Sequence, residues 1–315
     1  MAFTPKKQAY NASINALELG VGEKKIVVGG ENVFPFYTFD APIANAPKIA
    51  IEISDKGMAA LQTPGMKAAF EGCVTVADMA KKAEEIEGVS AVCLYFESAD
   101  PNGDNMSVEE CVEIAKAAAD ATALPIIIMG CKNIEKDAEI FNKVSDALQG
   151  KNILVLAARE ENYKTVGASA GMAYNQKVGA ESAVDINLAK QLNVLLGQLG
   201  VPAQSVAMNL GSSCAGYGYE YLSSTLDRVK AAALAQNDAQ LQMPIVTPVS
   251  TEAWGVKEAV LAESEAPEGW GSQEERGIEA EITTAAACLV GGSNVVIMKH
   301  PAAIAATAKF IDSLM

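Results

Sequence analysis

The sequence predicts an α/β fold, namely a (β/α)8 TIM barrel preceded by an N-terminal β-hairpin extension. After residue 47, short apolar runs alternate strictly with amphipathic stretches, which is the pattern of parallel strands covered by helices. Eight such units occur, and the count of eight favours closure into a barrel over an open sheet. The first predicted strand is followed by DKGMAAL from Asp55, not by the Gly-x-Gly-x-x-Gly turn that an open nucleotide-binding sheet would favour.

Eight apolar runs form the predicted barrel strands. They are KIAIEIS from Lys48, AVCLYFE from Ala91, PIIIMGC from Pro125, NILVLAA from Asn152, KVGAESAV from Lys177, SVAMNL from Ser205, MPIVTPV from Met243 and NVVIMKH from Asn294. The intervening stretches carry helix signals. SVEECVEIAKAAADA has apolar residues at helical spacing, and Ser107 with Glu110 predicts a capping box at its start. INLAKQLNVLLGQLG ends at Gly200 with Pro202 beyond it, as a helix stop does. AAIAATAKFIDSLM is the last predicted helix.

Two segments fall outside the repeat. Residues 1–46 form the predicted N-terminal extension, and residues 47–315 form the barrel. Within the extension, KKIVVGGENVFPFYTF is interpreted as two short strands around the turn at Gly29–Gly30, a hairpin expected to plug the N-terminal floor of the barrel. AESEAPEGWGSQEERG from Ala262 is interpreted as an ordered excursion at the mouth, because Trp270 would serve no purpose in a disordered loop.

Composition excludes several functional classes. The chain has 315 residues, and 24 basic against 39 acidic residues give a net charge of −15, which argues against binding to nucleic acid or to an anionic membrane surface. No run of apolar residues is long enough to span a membrane, and MAFTPKKQAYNAS lacks the apolar core of a secretory signal. We therefore expect a cytoplasmic protein.

Metal-ligating patterns are missing from the sequence. The six cysteines are scattered singly without a Cys-x-x-Cys pair, and they are interpreted as buried thiols. A single histidine, His300, excludes a multi-histidine metal site and a Ser/His/Asp arrangement, and its place before Pro301 favours a packing or capping role. We therefore expect no metal site and no catalytic residue in this chain.

In a barrel of this type the functional residues follow the carboxyl ends of the strands. The polar candidates at those positions are Asp55, Glu97, Asp100, Lys132, Arg159, Glu160, Asp185, Asn209, Ser250, Thr251, Glu252, Lys299 and His300. Asp55 and Glu97 could form an acid/base pair, but caps and salt bridges at strand ends are the preferred interpretation. Asp185 is interpreted as the cap of the helix that follows it.

The strongest binding signal is NLGSSCAGYGYEYLSSTLDR from Asn209, directly after the sixth predicted strand. Glycine allows close approach of backbone to a ligand, serine supplies hydrogen bonds, and tyrosine combines a flat face with a polar tip. The predicted binding residues are Ser212, Ser213, Gly216, Tyr217, Gly218 and Trp254. By themselves they suit a flat heterocycle such as a pterin or a tetrapyrrole, or equally a protein surface.

Nine phrases in order give the chain a more specific resemblance. They are IVVGGENVFPFYTF at Ile26, ADPNGDNMSVEECV at Ala99, GCKNIEKDAEIF at Gly130, ENYKTVGAS at Glu161, DINLAKQLNVL at Asp185, GYGYEYLSSTLDRVKAAAL at Gly216, LQMPIVTPVSTEAWGVKEA at Leu241, GWGSQEERGIEAEITTAAA at Gly269 and IMKHPAAI at Ile297. With them the chain resembles the small subunit of the corrinoid iron–sulfur protein, the delta subunit family of CO dehydrogenase/acetyl-CoA synthase and acetyl-CoA decarbonylase/synthase complexes.

That resemblance implies a barrel that pairs with a larger subunit and shares a base-off corrinoid (a cobalamin) with it across the barrel mouth. The [4Fe-4S] cluster is then expected in the large subunit only. The implied role is to carry a methyl group on cobalt from a methyltetrahydropterin methyltransferase to acetyl-CoA synthase in the Wood–Ljungdahl pathway of carbon fixation, with both enzymes as transient partners. The barrel is also similar to the pterin-dependent methyltransferases.

One departure from the family pattern concerns Asn209–Leu210, where relatives commonly have aspartate–proline. Asn209 is neutral and can donate as well as accept hydrogen bonds, so it is left out of the predicted binding residues. Two alternatives stay open at this point. One is an autonomous methyltetrahydropterin:corrinoid methyltransferase, and the other is a purely structural interaction subunit.

Overall fold

The computed structural model describes residues 6–315 and contains ten strands. A two-stranded antiparallel hairpin, β1 and β2, precedes an eight-stranded parallel barrel. The strands are β1 Leu17–Leu19, β2 Ile26–Val28, β3 Lys48–Ser54, β4 Val89–Tyr95, β5 Ile126–Met129, β6 Leu154–Ala158, β7 Lys177–Glu181, β8 Val206–Asn209, β9 Val246–Pro248 and β10 Val295–Met298. The barrel strands are ordered β8-β7-β6-β5-β4-β3-β10-β9, and each of the eight predicted runs overlaps one of them, so the predicted barrel is confirmed.

Helices cover the outside of the barrel. They are α1 Pro64–Ala69, α2 Val76–Lys82, α3 Val108–Ala121, α4 Ile134–Ala147, α5 Tyr163–Val166, α6 Ile186–Leu199, α7 Tyr219–Leu234, α8 Ser250–Ala253, α9 Lys257–Val260, α10 Gln273–Gly291 and α11 Pro301–Leu314. A π-helical turn over Gly167–Ala173 continues α5. The predicted Ser107–Glu110 capping box opens α3, and Gly200 ends α6 in the left-handed region at φ 102°.

The barrel closes between β8 and β9 through a single parallel bridge. Met208 pairs with Ile245, and its N–H donates to the carbonyl of Pro244 at 2.8 Å. Pro244 and Pro248 flank the pairing stretch of β9, and a proline has no N–H to give to a ladder. The pairing between β8 and β9 that closes the barrel is therefore short because two prolines flank it in the sequence of β9.

The hairpin fills the floor of the barrel, but its strands differ from those predicted. Ile26–Val28 pairs with the earlier Leu17–Leu19, and no strand lies between Gly30 and the start of β3 at Lys48. A side chain on Gly29 would overlap the carbonyl of Asn15, and the N–H of Gly30 donates to Ile14 at 3.0 Å. These two glycines therefore pack against the preceding segment and do not form a turn between paired strands.

The hairpin belongs to one of two apolar layers. Leu17, Leu19, Ile26 and Val28 join a cluster of inward-facing strand residues inside the barrel, which confirms the predicted plug. The N–H of Gly20 donates to the carbonyl of Asn152, just before β6, so the plug lies at the amino ends of the strands. The larger apolar cluster lies between strands and helices. The division of the chain at residue 47 stays a prediction, and residues 1–5 of the predicted extension lie outside the described residues.

A buried ion pair fastens the extension to the barrel. Glu31 accepts from the Lys230 ammonium on α7 at 2.9 Å and from the Asn294 amide at 2.9 Å. Lys230 also donates to Asn294 Oδ1 at 3.2 Å, and only 2% of its surface is exposed. Burial opposes ionisation of Glu31, but the charge of Lys230 and the two hydrogen bonds outweigh it and lower the pKa of Glu31. Glu31 is therefore ionised at neutral pH.

Lys230→Met should lower the free energy of unfolding by about 3–5 kcal/mol, because it leaves the Glu31 carboxylate buried without a counter-charge. The measurement is urea unfolding at pH 7. Lys25→Met is the matched control, since its pair with Glu18 is about half exposed and should cost less than about 1 kcal/mol. Equal losses in the two variants would contradict the buried pair. Because the pKa of Glu31 is lowered, its stabilisation is present above the ordinary carboxyl pKa and is lost as the pH falls through the lowered value.

Candidate functional site

The glycine loop, residues 211–218, connects β8 to α7 at the mouth of the barrel. Gly211, Gly216 and Gly218 have φ of 89°, 89° and 81°, a region that L-residues with a side chain rarely adopt. No protein atom lies within 4 Å of where a side chain on Gly216 would begin. Tyr217 is 49% exposed and Tyr221 69% exposed. The loop and the first turn of α7 therefore present open backbone and two tyrosine rings at the mouth.

The loop is held by side-chain hydrogen bonds despite its glycines. The Tyr217 hydroxyl donates to the carboxylate of Glu258 on α9, and this bond raises the pKa of Tyr217. The Ser213 hydroxyl donates to the carbonyl of Tyr217, and the N–H of Ala215 donates to Thr284 Oγ1 on α10 at 3.0 Å. The Ser212 hydroxyl is shut off from solvent and has no hydrogen-bond partner among residues 6–315. Five of the six predicted binding residues thus lie together in one ordered loop.

Trp254, the sixth predicted binding residue, lies beneath the surface. It is 3% exposed, and its ring stacks on the His300 ring with centroids 5.7 Å apart. Gly277 on α10 makes room for it, since a side chain there would overlap the indole. A ligand that lies across the mouth therefore has almost no direct contact with Trp254, because other protein groups cover the indole.

The position of Trp254 depends on Gly277, and substitution of that glycine tests this. Gly277→Ala should cost about 1–3 kcal/mol of unfolding free energy by overpacking and should shift the tryptophan emission. The control is Gly197→Ala in the last turn of α6, where no atom lies within 4 Å of the added side chain; it should be neutral or stabilising by up to about 1 kcal/mol. Two alanine variants of equal stability would contradict the close Gly277–Trp254 contact.

His300 has the capping role that its sequence context predicts. Its Nδ1 accepts from the N–H of Ala302 at 3.1 Å at the start of α11. Its Nε2 lies 3.0 Å from Glu274 Oε1, and the residue is 3% exposed. Both ring nitrogens therefore have partners within the protein.

The carboxylates at the first strands also have structural partners. Asp55 accepts from the N–H and the hydroxyl of Ser98, and burial raises its pKa. Glu97 accepts from the Ser54 hydroxyl. Asp185 caps α6 by accepting from two backbone N–H groups of its first turn. These contacts support the strand-end and capping interpretation over an acid/base pair at Asp55 and Glu97.

A cavity of about 210 Å³ opens beside the glycine loop at the mouth. Its charged lining is paired. Arg159 contacts Glu181 at 3.1 Å and Asp137 at 3.9 Å, and Lys132 lies 4.0 Å from Glu252. Burial raises the pKa of Asp137, although Cys131 and Arg159 oppose the shift. The cavity is therefore polar but close to charge balance.

Asn209 at the end of β8 also lines this cavity and is 3% exposed. Its Oδ1 accepts from the N–H of Gly211 at 3.0 Å and so fixes the entry to the glycine loop. No acceptor among the described residues takes its amide Nδ2. Asn209, which departs from the family pattern, therefore lies at the mouth and holds the start of the glycine loop.

Two buried carboxyl groups below the mouth escaped the sequence analysis. Glu52 on β3 accepts from the Ser250 hydroxyl at 2.5 Å and lies 3.6 Å from the Lys299 ammonium, and burial raises its pKa. Glu281 on α10 accepts from the N–H groups of Lys299 and His300. Burial raises the pKa of Glu281 to about 7. A signal for Glu52 was present, because it alternates with Ile51 and Ile53 on an otherwise apolar strand.

Glu281→Gln should change how stability depends on pH. A carboxyl group whose folded pKa is raised stabilises the protein fully below its ordinary value of 4.5 and loses that contribution as the pH rises to about 7. The wild type should therefore lose about 3 kcal/mol relative to the variant between pH 4.5 and pH 8. Chemical unfolding at several pH values measures this, and parallel profiles for the two proteins would contradict it.

Further structural findings concern cofactors and membranes. Within residues 6–315, no group of three histidine, cysteine or acidic side chains is arranged to hold a metal ion, and the six cysteines are free thiols. Over the same residues, no helix combines the length and apolarity needed to cross a bilayer.

Fold and mouth together define a (β/α)8-barrel protein whose mouth carries a glycine–tyrosine loop. Among solved structures, the chain is similar to 7,8-dihydropteroate synthase from Vibrio fischeri, with a TM-score of 0.58, 12% identity, and coverage of 95% of this chain and 97% of that chain. It is similar to the dihydropteroate synthase of Yersinia pestis in complex with a pterine-sulfa conjugate, with a TM-score of 0.54, 10% identity, and coverage of 85% and 93%. At such identities the likeness shows the fold.

The family is shown by sequence. The family model described as CO dehydrogenase/acetyl-CoA synthase delta subunit matches residues 16–303, and the chain belongs to that family. Subunit delta of the acetyl-CoA decarbonylase/synthase complex from Archaeoglobus fulgidus is 30% identical over 323 residues, covering 99% of this chain and 71% of that protein. Subunit delta 1 from Methanosarcina thermophila is 29% identical over 300 residues, covering 92% and 66%. The resemblance stated from the sequence phrases is confirmed.

Proposed function

We propose that this chain is the small subunit of a heterodimeric corrinoid iron–sulfur methyl carrier in an acetyl-CoA decarbonylase/synthase system of the cytoplasm. The observation that carries the proposal is the family match over residues 16–303, which includes the whole mouth of the barrel. The named relatives are subunits of a complex, which supports partner subunits for this chain as well. The proposed permanent partner is the large subunit; a methyltransferase and acetyl-CoA synthase are the transient partners.

The mouth fits one face of a corrinoid. A cavity of about 210 Å³ is smaller than the roughly 300–1,000 Å³ that encloses a drug-sized ligand, so a corrin macrocycle cannot be enclosed by this chain. The open backbone at Gly216 and the exposed rings of Tyr217 and Tyr221 suit contact with a broad, flat ligand. A macrocycle that rests on this surface leaves its other face for the partner subunit. The size of the mouth supports sharing of the ring between two subunits.

The single histidine is consistent with a base-off corrinoid. When bound, the corrinoid supplies a cobalt ion that accepts and releases a methyl group. His300 is buried, and both its ring nitrogens have protein partners, so this chain offers no imidazole to the metal. The chain's own part is to orient the ring with the glycine loop and to exclude water from one face. The [4Fe-4S] cluster is assigned to the large subunit, because the cysteines of this chain are single and mostly buried.

Autonomous methyltetrahydropterin:corrinoid methyltransferase activity is the second candidate. Asp137 favours it, since its raised pKa would let a carboxyl group at the mouth cavity donate a proton to a pterin. The first candidate ranks above it because Asp137 already accepts from the N–H of Cys131 at 2.7 Å and lies near Arg159.

Co-expression with the large subunit tests the proposal. The purified, reconstituted pair should show a corrinoid absorption spectrum, and Tyr217→Ala should weaken corrinoid retention by about tenfold by removing a ring from the mouth. Tyr174→Ala is the matched control, since Tyr174 precedes β7 at the opposite end of the barrel. A pair that binds no corrinoid would overturn the proposal. Turnover of methyltetrahydropterin with free cobalamin by this chain alone would establish the methyltransferase.

A further inference from the structure

The cavity beside the glycine loop has a composition that selects one kind of chemical group. Its cations and carboxylates are paired with each other, Arg159 with Glu181 and Lys132 with Glu252. An added carboxylate would meet Glu181, Glu252 and Asp137, and an added cation would meet Arg159 and Lys132. Since burying an unpaired charge is costly, the cavity favours a neutral polar group.

Asn209 specifies that group further. It is 3% exposed, its Oδ1 is engaged by Gly211 N–H, and its Nδ2 keeps two N–H donors without an acceptor among residues 6–315. Because Asn209 lines the cavity and neither N–H of its Nδ2 has an acceptor in the described part of the chain, a ligand oxygen that enters the cavity can accept from it. The carboxylates of Glu181 and Glu252 on the cavity wall can accept N–H groups in return. A donor and an acceptor side by side on the ligand match a primary carboxamide.

The size of the cavity agrees with a side arm and not with a ring. A cavity of about 210 Å³ is below the roughly 300–1,000 Å³ of sites that enclose a drug-sized ligand, and it has room for a short chain ending in an amide. The opening of the cavity lies beside the glycine loop, because Gly211 and Ser212 belong to the loop and also line the cavity. An arm from a macrocycle resting on the loop can therefore enter the cavity.

We propose that this cavity is a socket for one neutral carboxamide arm at the rim of the corrin ring, with Asn209 donating to the amide oxygen and Glu181 or Glu252 accepting its N–H groups. This rests on the proposed function. The socket fixes the rotation of the ring over the mouth, because only one arm can occupy it. It also makes Asn209 a specificity-determining residue, which distinguishes a carboxamide arm from a carboxylate arm at the same position.

The test is equilibrium binding of corrinoids to the reconstituted heterodimer, followed by absorption. The probes are cobalamin and its monocarboxylic acids, in each of which one arm amide is hydrolysed. At pH 7 one of these acids should bind about tenfold or more weakly than cobalamin, because its arm carboxylate meets the acidic wall, while acids altered at other arms bind like cobalamin. Asn209→Asp keeps the acceptor for Gly211 but loses both donors, and it should weaken cobalamin binding about tenfold.

Two controls distinguish loss of the socket from misfolding of the barrel, and the outcomes distinguish failure of the socket from failure of the proposed carrier role. Asn142→Leu on the outer face of α4 should bind every corrinoid as the wild type does, and thermal unfolding of Asn209→Asp shows whether the barrel is intact. If all the acids and cobalamin bind alike, or if Asn209→Asp binds cobalamin unchanged, the socket is wrong while the carrier role stands. If no corrinoid binds to any form of the pair, the carrier role fails and the socket fails with it.

Discussion

The interior of an eight-stranded barrel has to be filled by side chains, and this constraint shapes both ends of the molecule. At the floor, the hairpin residues Leu17, Leu19, Ile26 and Val28 supply apolar volume that the short barrel strands cannot provide alone. Small interior residues such as Ala50 leave space for them. Because the plug comes from the extension, the Lys230–Glu31 pair that fastens the extension also holds the filling of the barrel in place.

The interior layer nearest the mouth is polar, in contrast with the apolar interior at the floor. In a strand, residues two apart share a face, so Glu52 follows Ala50, Asn209 follows Ala207 and Lys299 follows Ile297 on the inner side. Charges in this layer are tolerated because they are paired or hydrogen-bonded, as Glu52 is to Lys299 and Ser250. The same alternation that builds an apolar core below therefore builds a polar surface at the mouth, two residues further along each strand.

Local patterns were sufficient to predict the barrel and the glycine loop. These features depend on residues that are neighbours in the sequence. The structure confirms the strand runs, the capping box at Ser107 and the helix end at Gly200. The partner of Ile26–Val28 was mispredicted because strand pairing depends on which apolar face reaches the barrel interior, and Leu17–Leu19 is too short to stand out. Asp137 was missed for a related reason: it lies one turn inside α4 and reaches the mouth only because Cys131 N–H holds it there.

In the methyl-carrier role proposed for this chain, no protein side chain should accept the methyl group from the cofactor, and the chemistry of the cysteines agrees with that requirement. A thiolate is a strong nucleophile toward an activated methyl group, whereas a thiol is not. Burial raises the pKa of Cys131 to about 11 and that of Cys111 to about 12, and it raises those of Cys93 and Cys214 as well. At neutral pH these sulfurs are therefore protonated. His300 is engaged at both ring nitrogens, and Lys132 and Lys299 lie beside carboxylates, so these polar groups of the proposed binding surface already have protein partners.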